Sequence, residues 1–278
     1  SASNAGSLLG LIAYPLLMEP FSSLGTQSVI WSGSYGLVAI LLVTCGLLVI
    51  SQHRADLTAT APEQSLRPKA SWKEKGYWLM LSAVPSGLLL GTTSHISTDI
   101  ASAPFLWAPP LIAYIATFII VFAKKPLIKP ETAEKYLLFA IAPALLMLNV
   151  SMSSMQLVLL GLVVHTGALF MAALCLHGAL VARRPDADGL TEFYLLMSLG
   201  GVLGSSFVAL LAPVIFNDIH EYPLLLGAAL LISPRFMKTG STPLFKSRKA
   251  LFLAIPVLAG LLVWVFVALN NAGNTMLT

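Results

Sequence analysis

His95 and Asp99 stand four residues apart in the run Thr92–Thr93–Ser94–His95–Ile96–Ser97–Thr98–Asp99. On a helix this spacing puts both side chains on one face, where an imidazole and a carboxylate can hydrogen-bond. Surrounded by hydroxyls, the pair suits a small ligand or a proton; the structural alternative is a cap at a helix end. Glu19 is a candidate partner for the pair, because the topology derived below puts both at the same membrane face. His165 is a further candidate, placed well inside a long apolar run, with a buried, hydrogen-bonded core histidine as the alternative. His177 follows 12 residues later. Twelve residues turn an ideal helix about 120° away from a common face, so these two histidines do not form one ligand pair. Metal or haem ligation would need a donor from another helix, and neither a metal site nor a cofactor is expected.

A second constellation reads His177–Gly178–Ala179–Leu180–Val181–Ala182–Arg183–Arg184–Pro185, then Asp186, Asp188, Thr191 and Glu192. Arg183 and Arg184 complement the negative end of the preceding helix. Thr191 can cap the next one, and Glu192 sits near its positive end. A tightly capped hairpin explains this pattern, and no residue in it is expected to be catalytic.

The elements that position these residues follow from composition. Of 278 residues, 57% are hydrophobic and 10% charged, against about 25% charged in a soluble domain. An ordinary globular domain and a disordered chain are both excluded. Cys45 and Cys175 lie inside apolar runs, so neither a disulfide framework nor a CxxC site is available. The expectation is an all-α, polytopic membrane bundle whose first partner is the lipid bilayer. The net charge of +4 then concerns loops at a membrane face, not nucleic acid.

Charges cut the chain into spans. Gly76 to Thr98, Ile100 to Ala123, Phe193 to Asn217 and Ala250 to Thr278 are free of Asp, Glu, Lys and Arg. Each is long enough for the roughly 20 residues that cross a bilayer core. Tyr136 to Ala182 is too long for one helix and is divided by the polar stretch Asn149–Ser154. Further helices are expected over about Ser3 to Met18, Ser28 to Ile50 and Tyr222 to Met237. The total is about nine transmembrane helices in a single domain over 1–278, with residues 51–75 as a cytoplasmic loop.

Alternating sides test this count. Loops after the second, fourth, sixth and eighth helices contain all 16 Lys and Arg residues, and the opposite loops contain none. Positive residues mark the cytoplasmic side, so a multi-pass protein of a bacterial inner membrane is expected, with its Lys/Arg loops cytoplasmic. The first residues lack a basic region and a cleavage site, so no signal peptide is expected.

Gly6-xxx-Gly10, Gly87-xxx-Gly91 and Gly200-xxx-Gly204 are expected to let helix backbones approach closely. The run Gly200–Gly204 lies inside a membrane helix, not after a strand, so it is not read as a phosphate loop. Pro15, Pro85, Pro109, Pro110, Pro143 and Pro256 fall within spans and are expected to kink them.

Residues 177–226, HGALVARRPDADGLTEFYLLMSLGGVLGSSFVALLAPVIFNDIHEYPLLL, resemble the membrane region of the bacterial fused major-facilitator/spermidine-synthase-like proteins. TTSHISTDIASAPFLWAPPLIAYIATFIIVF (92–122) and SNAGSLLGLIAYPLLMEP (3–20) resemble two further blocks of that family, in the family's order. The family carries Glu after the His–Gly pair, where this chain has Ala179. The resemblance implies a transporter-like membrane domain handling a small solute, with polyamines as the obvious class. It also implies an upstream helical segment and a soluble aminopropyltransferase-like domain as partners. No glycine-rich strand–turn–helix for aminopropyl transfer occurs in this sequence, so no enzyme activity is expected. Two other readings stand beside this one: a non-catalytic accessory or scaffold subunit of a membrane complex, and a redox or metal-binding membrane protein using His95, His165 or His177.

Overall fold

The computed structural model of the chain describes residues 2–55, 70–100, 106–123 and 128–239. They fall into two compact units, Leu9–Pro68 and Ser1–Leu8 with Lys69–Thr278. Every regular element among the described residues is helical.

At the N-terminus, α1 (Ala2–Ala13) runs into a π-helical turn, Tyr14–Met18, and a final turn, Glu19–Phe21. Pro15 sits in the π turn, where its missing N–H disturbs the ordinary ladder. Ser22 is extended, and Ser23 accepts a hydrogen bond from Thr26 N–H at 3.3 Å. Helix α2 (Leu24–Ala55) follows. Gln27 ties this corner together, accepting from Tyr14 Oη at 3.5 Å and donating to the Ser22 carbonyl at 3.1 Å. The expected 51–75 loop is shorter than the sequence suggested. Residues 51–55 continue α2, Trp72 opens the next helix, and 56–69 lie outside the described residues.

In the larger unit, α3 (Trp72–His95) ends in a π-helical turn, Ile96–Ile100. Then come α4 (Ala108–Val121), α5 (Pro130–Met147) and α6 (Met155–Val181). Helix α7 (Leu190–Ser206) continues through a π turn, Phe207–Leu211, into Ala212–Ile215. Two short helices close the described chain, α8 (Glu221–Leu231) and α9 (Pro234–Thr239). The last apolar run, 250–278, lies outside the described residues.

Among the described residues, four helical stretches are long and apolar enough to cross a membrane: Leu24–Ser51, Trp72–Ile100, Met155–Val181 and Ala187–Ile215. Helices α4 and α8 are apolar but shorter. Two of the sequence expectations are corrected. Pro109 and Pro110 do not kink a span; they occupy the first turn of α4, where missing N–H groups cost nothing because those donors have no intrahelical acceptor. Thr191 does not cap α7. That helix begins at Leu190 behind Gly189, with no side-chain cap.

The core of this unit is built around α3 and α6. Every residue from Ala172 to Leu180 is buried, as expected of a helix that is apolar all round. Leu81 and Leu88 of α3 pack into the same cluster as Leu137 and Ile141 of α5, Phe193 of α7 and Tyr222 of α8. Ser71 caps α3, accepting from Glu74 N–H, and Ser154 caps α6, accepting from Leu157 N–H.

Helices α3 and α7 cross with backbone against backbone. A Cβ on Gly204 would lie 1.9 Å from the Ala83 carbonyl oxygen, and one on Gly200 would lie 2.5 Å from the Leu79 carbonyl oxygen. Only glycine fits at either place. Gly91, further along α3, faces Tyr222, whose nearest atoms would stand 3.4 and 3.5 Å from a Cβ, so a methyl group would make only ordinary contact there. Gly6 and Gly10 do not pack against another backbone, since nothing among the described residues lies within 4 Å of a Cβ at either position.

Candidate functional site

Two polar clusters interrupt this apolar core. The first begins with the pair read from the sequence. His95 Nδ1 lies 2.7 Å from Asp99 Oδ2. The His95 side chain is 4% exposed and that of Asp99 is 43% exposed, so the pair joins the interior to the surface of the unit. Asp99 reaches back to His95 from within the π-helical turn that ends α3.

His165 joins from α6. Its Nε2 is 3.3 Å from His95 Nε2, and its Nδ1 is 2.9 Å from the hydroxyl of Tyr222 on α8. The three rings also pack on one another. The imidazoles meet edge-on at 4.5 Å, and the Tyr222 ring stacks over His95 at 5.3 Å. Thr92, one turn before His95, is buried and approaches the Tyr222 hydroxyl without a hydrogen bond of good geometry. Asp218, in the segment after α7, is near enough for its charge to act on His95.

The proton positions follow from what each group can do. Carboxylate Asp99 only accepts, so His95 donates from Nδ1. A neutral His95 then accepts at Nε2, which makes His165 the donor there. His165 has its proton on Nε2 and accepts at Nδ1, so Tyr222 donates its O–H. All three donors therefore point the same way, from buried Tyr222 towards Asp99. Polar groups buried in this way are costly unless hydrogen-bonded, and a chain of aligned hydrogen bonds is mutually strengthening.

The second cluster lies towards the other end of α6. His177 Nδ1 is 2.8 Å from Thr117 Oγ1, which itself donates to the Tyr114 carbonyl at 2.7 Å. Tyr114 Oη pairs with Ser86 Oγ at 2.8 Å. The His177 ring stacks on Phe118 at 4.0 Å, and its buried Nε2 has no partner among the described residues. His165 and His177 thus serve separate clusters.

Beyond His177, the charged residues close the bundle at the end opposite Asp99. Lys75 pairs with Glu192, and Arg183 Nε lies 3.5 Å from Glu74 Oε1. Arg183 also caps α6 by donating to the Ala179 carbonyl at 3.3 Å, and it covers the Tyr77 ring at 4.6 Å. Arg184 lies over Tyr194 at 5.9 Å. The start of α3, the end of α6 and the start of α7 are therefore fastened together here. Glu19 belongs to the smaller unit, where it is exposed at the end of the N-terminal helical stretch.

Sequence reasoning missed Tyr222, Thr117, Tyr114 and Ser86. Tyr222 and Ser86 each lie one residue from a proline, Pro223 and Pro85, and nothing local marks either as a partner of a distant histidine. Among the described residues, no group of three or more His, Cys, Asp or Glu is placed to hold a metal ion.

No protein-family model, no curated protein and no solved structure matches the chain.

Proposed function

We propose that this chain is a transporter-like membrane domain that handles a small solute at the cluster headed by Asp99. One observation carries this reading: a hydrogen-bonded chain drawn from α3, α6 and α8 runs from a fully buried tyrosine to a half-exposed carboxylate. A structural cap needs only His95 and Asp99. Recruiting a second buried histidine and a buried phenol costs desolvation that a helix end does not require.

In this reading the chain is a multi-pass protein of a bacterial inner membrane, with about nine transmembrane helices and cytoplasmic Lys/Arg loops. The resemblance to the fused major-facilitator/spermidine-synthase-like proteins makes polyamines the solute class, and the acidic residues Asp99 and Asp218 suit a cation. Aminopropyl transfer is not assigned to this chain. The test is spermidine uptake into vesicles containing the full chain. Asp99→Asn should abolish uptake while leaving thermal unfolding within a few degrees of the parent. Unchanged uptake in that variant would sink the assignment and leave the pair as a cap.

A second reading, an accessory subunit packed on another membrane protein, is favoured by α2, which is apolar and exposed over residues 37–51. Copurification of a stoichiometric membrane partner, lost on placing charges along α2, would support it.

A further inference from the structure

We propose that Tyr222, His165, His95 and Asp99 form a relay that carries one proton between the buried interior and the exposed carboxylate. This rests on the reading of the Asp99 cluster as functional and names a proton as what that cluster moves.

The step balances atom by atom. A proton donor on the Thr92 side, such as water or a solute ammonium, gives its proton to the Tyr222 oxygen. The original phenol proton passes to His165 Nδ1, and the His165 Nε2 proton passes to His95 Nε2. The His95 Nδ1 proton passes to Asp99 Oδ2, from which water removes it. At each member one N–H or O–H bond breaks as another forms, and one unit of positive charge moves from Tyr222 to Asp99.

The donors have then all reversed. Each imidazole carries its proton on the other nitrogen, so a second proton cannot follow in the same direction until the chain is reset. The relay therefore moves protons singly and does not leak. Imidazole has one donor and one acceptor nitrogen that exchange roles on proton transfer, and both histidines use both nitrogens within the chain. The buried Thr92 hydroxyl beside Tyr222, which has no hydrogen-bond partner of good geometry among the described residues, offers a donor to the phenol oxygen at the inner terminus. The charged and titratable groups facing His95 are Asp99 on its own helix, His165 of α6, Tyr222 of α8 and Asp218 beyond α7. Those facing His165 are His95 and Tyr222.

Infrared difference spectroscopy of the full chain in lipid vesicles, stepped between acid and neutral pH, reads the relay without any solute. The expected spectrum shows the Asp99 carboxyl band changing together with imidazole bands of both histidines and the Tyr222 phenol band. His165→Gln can keep a donor and an acceptor in place but cannot pass a proton. It should reduce the spectrum to the Asp99 band and the band of His95 bonded to it, with the Tyr222 band lost. Tyr222→Phe, which retains the ring over His95, should remove the phenol band and the His165 tautomer change, and it serves if His165→Gln fails to fold. A parent spectrum confined to Asp99 and His95, or a His165→Gln spectrum identical to the parent, overturns the relay. Spermidine uptake is measured on the same vesicles: absence of uptake with an intact coupled spectrum defeats the solute assignment and not the relay.

Discussion

Thr117 Oγ1 lies 2.8 Å from His177 Nδ1 and donates its own proton to the Tyr114 carbonyl. The hydroxyl can therefore only accept from the histidine, which fixes the proton on Nδ1 and leaves Nε2 as a buried lone pair with no partner among the described residues.

This arrangement predicts an unequal pair of variants. Thr117→Val strands a buried N–H and should cost about 1–3 kcal/mol, whereas His177→Leu removes donor and orphaned acceptor together and should cost under about 1 kcal/mol. Thermal unfolding of both variants in one detergent checks the order. Equal losses, or a larger loss for His177→Leu, would show that Nε2 has a partner.

The α3–α7 crossing predicts a second contrast. Gly204→Ala forces a methyl into the Ala83 carbonyl and should destabilise by about 1–3 kcal/mol or more. Gly227, with nothing among the described residues within 4 Å of a Cβ, should accept alanine with no loss or a gain of up to about 1 kcal/mol. Similar melting shifts for the two would mean that α3 and α7 are further apart than described.

At the charged end, Lys75 and Glu192 have side chains 16% and 45% exposed. A double-mutant cycle on this pair should give about 0.2–1 kcal/mol, diminishing with added salt. Arg183→Ala should cost more and depend less on salt, because it also loses the Tyr77 ring and the Ala179 carbonyl. An Arg183 effect that vanishes in high salt would reduce its role to the ion pair with Glu74.

Sidedness is checked by labelling. In a Cys45→Ser background, cysteine at exposed position 153 should react with an impermeant reagent from outside the cell, and cysteine at exposed position 184 should not. Buried Cys175 supplies the unreactive internal reference. Reversal of the two would invert the proposed topology.

The parts of this structure legible in the sequence are those set by near neighbours. His95 and Asp99 were visible because a spacing of four is a contact on any helix. The division between α5 and α6 was visible because Asn149–Ser154 is polar inside an apolar run. Gly87, Gly91, Gly200 and Gly204 were visible as small residues one turn apart. Tyr222 was not, since its meeting with His165 depends on how α8 packs, and a tyrosine beside a proline in a short helix resembles an interfacial anchor. The start of α4 was missed for the opposite reason. A run without charges looks continuous, and the two prolines that open the helix read equally well as kinks within it.

The glycine seam between α3 and α7 has a mechanical consequence. With carbonyl oxygens set where side chains would stand, those two helices cannot slide past each other without a collision, so they behave as one beam. Any swivel in the larger unit must then occur where that beam meets α6 or α8. His95 rides on the beam, while His165 and Tyr222 ride on α6 and α8. The distances His95–His165 and His165–Tyr222 are therefore the gauges on which such a movement would register first.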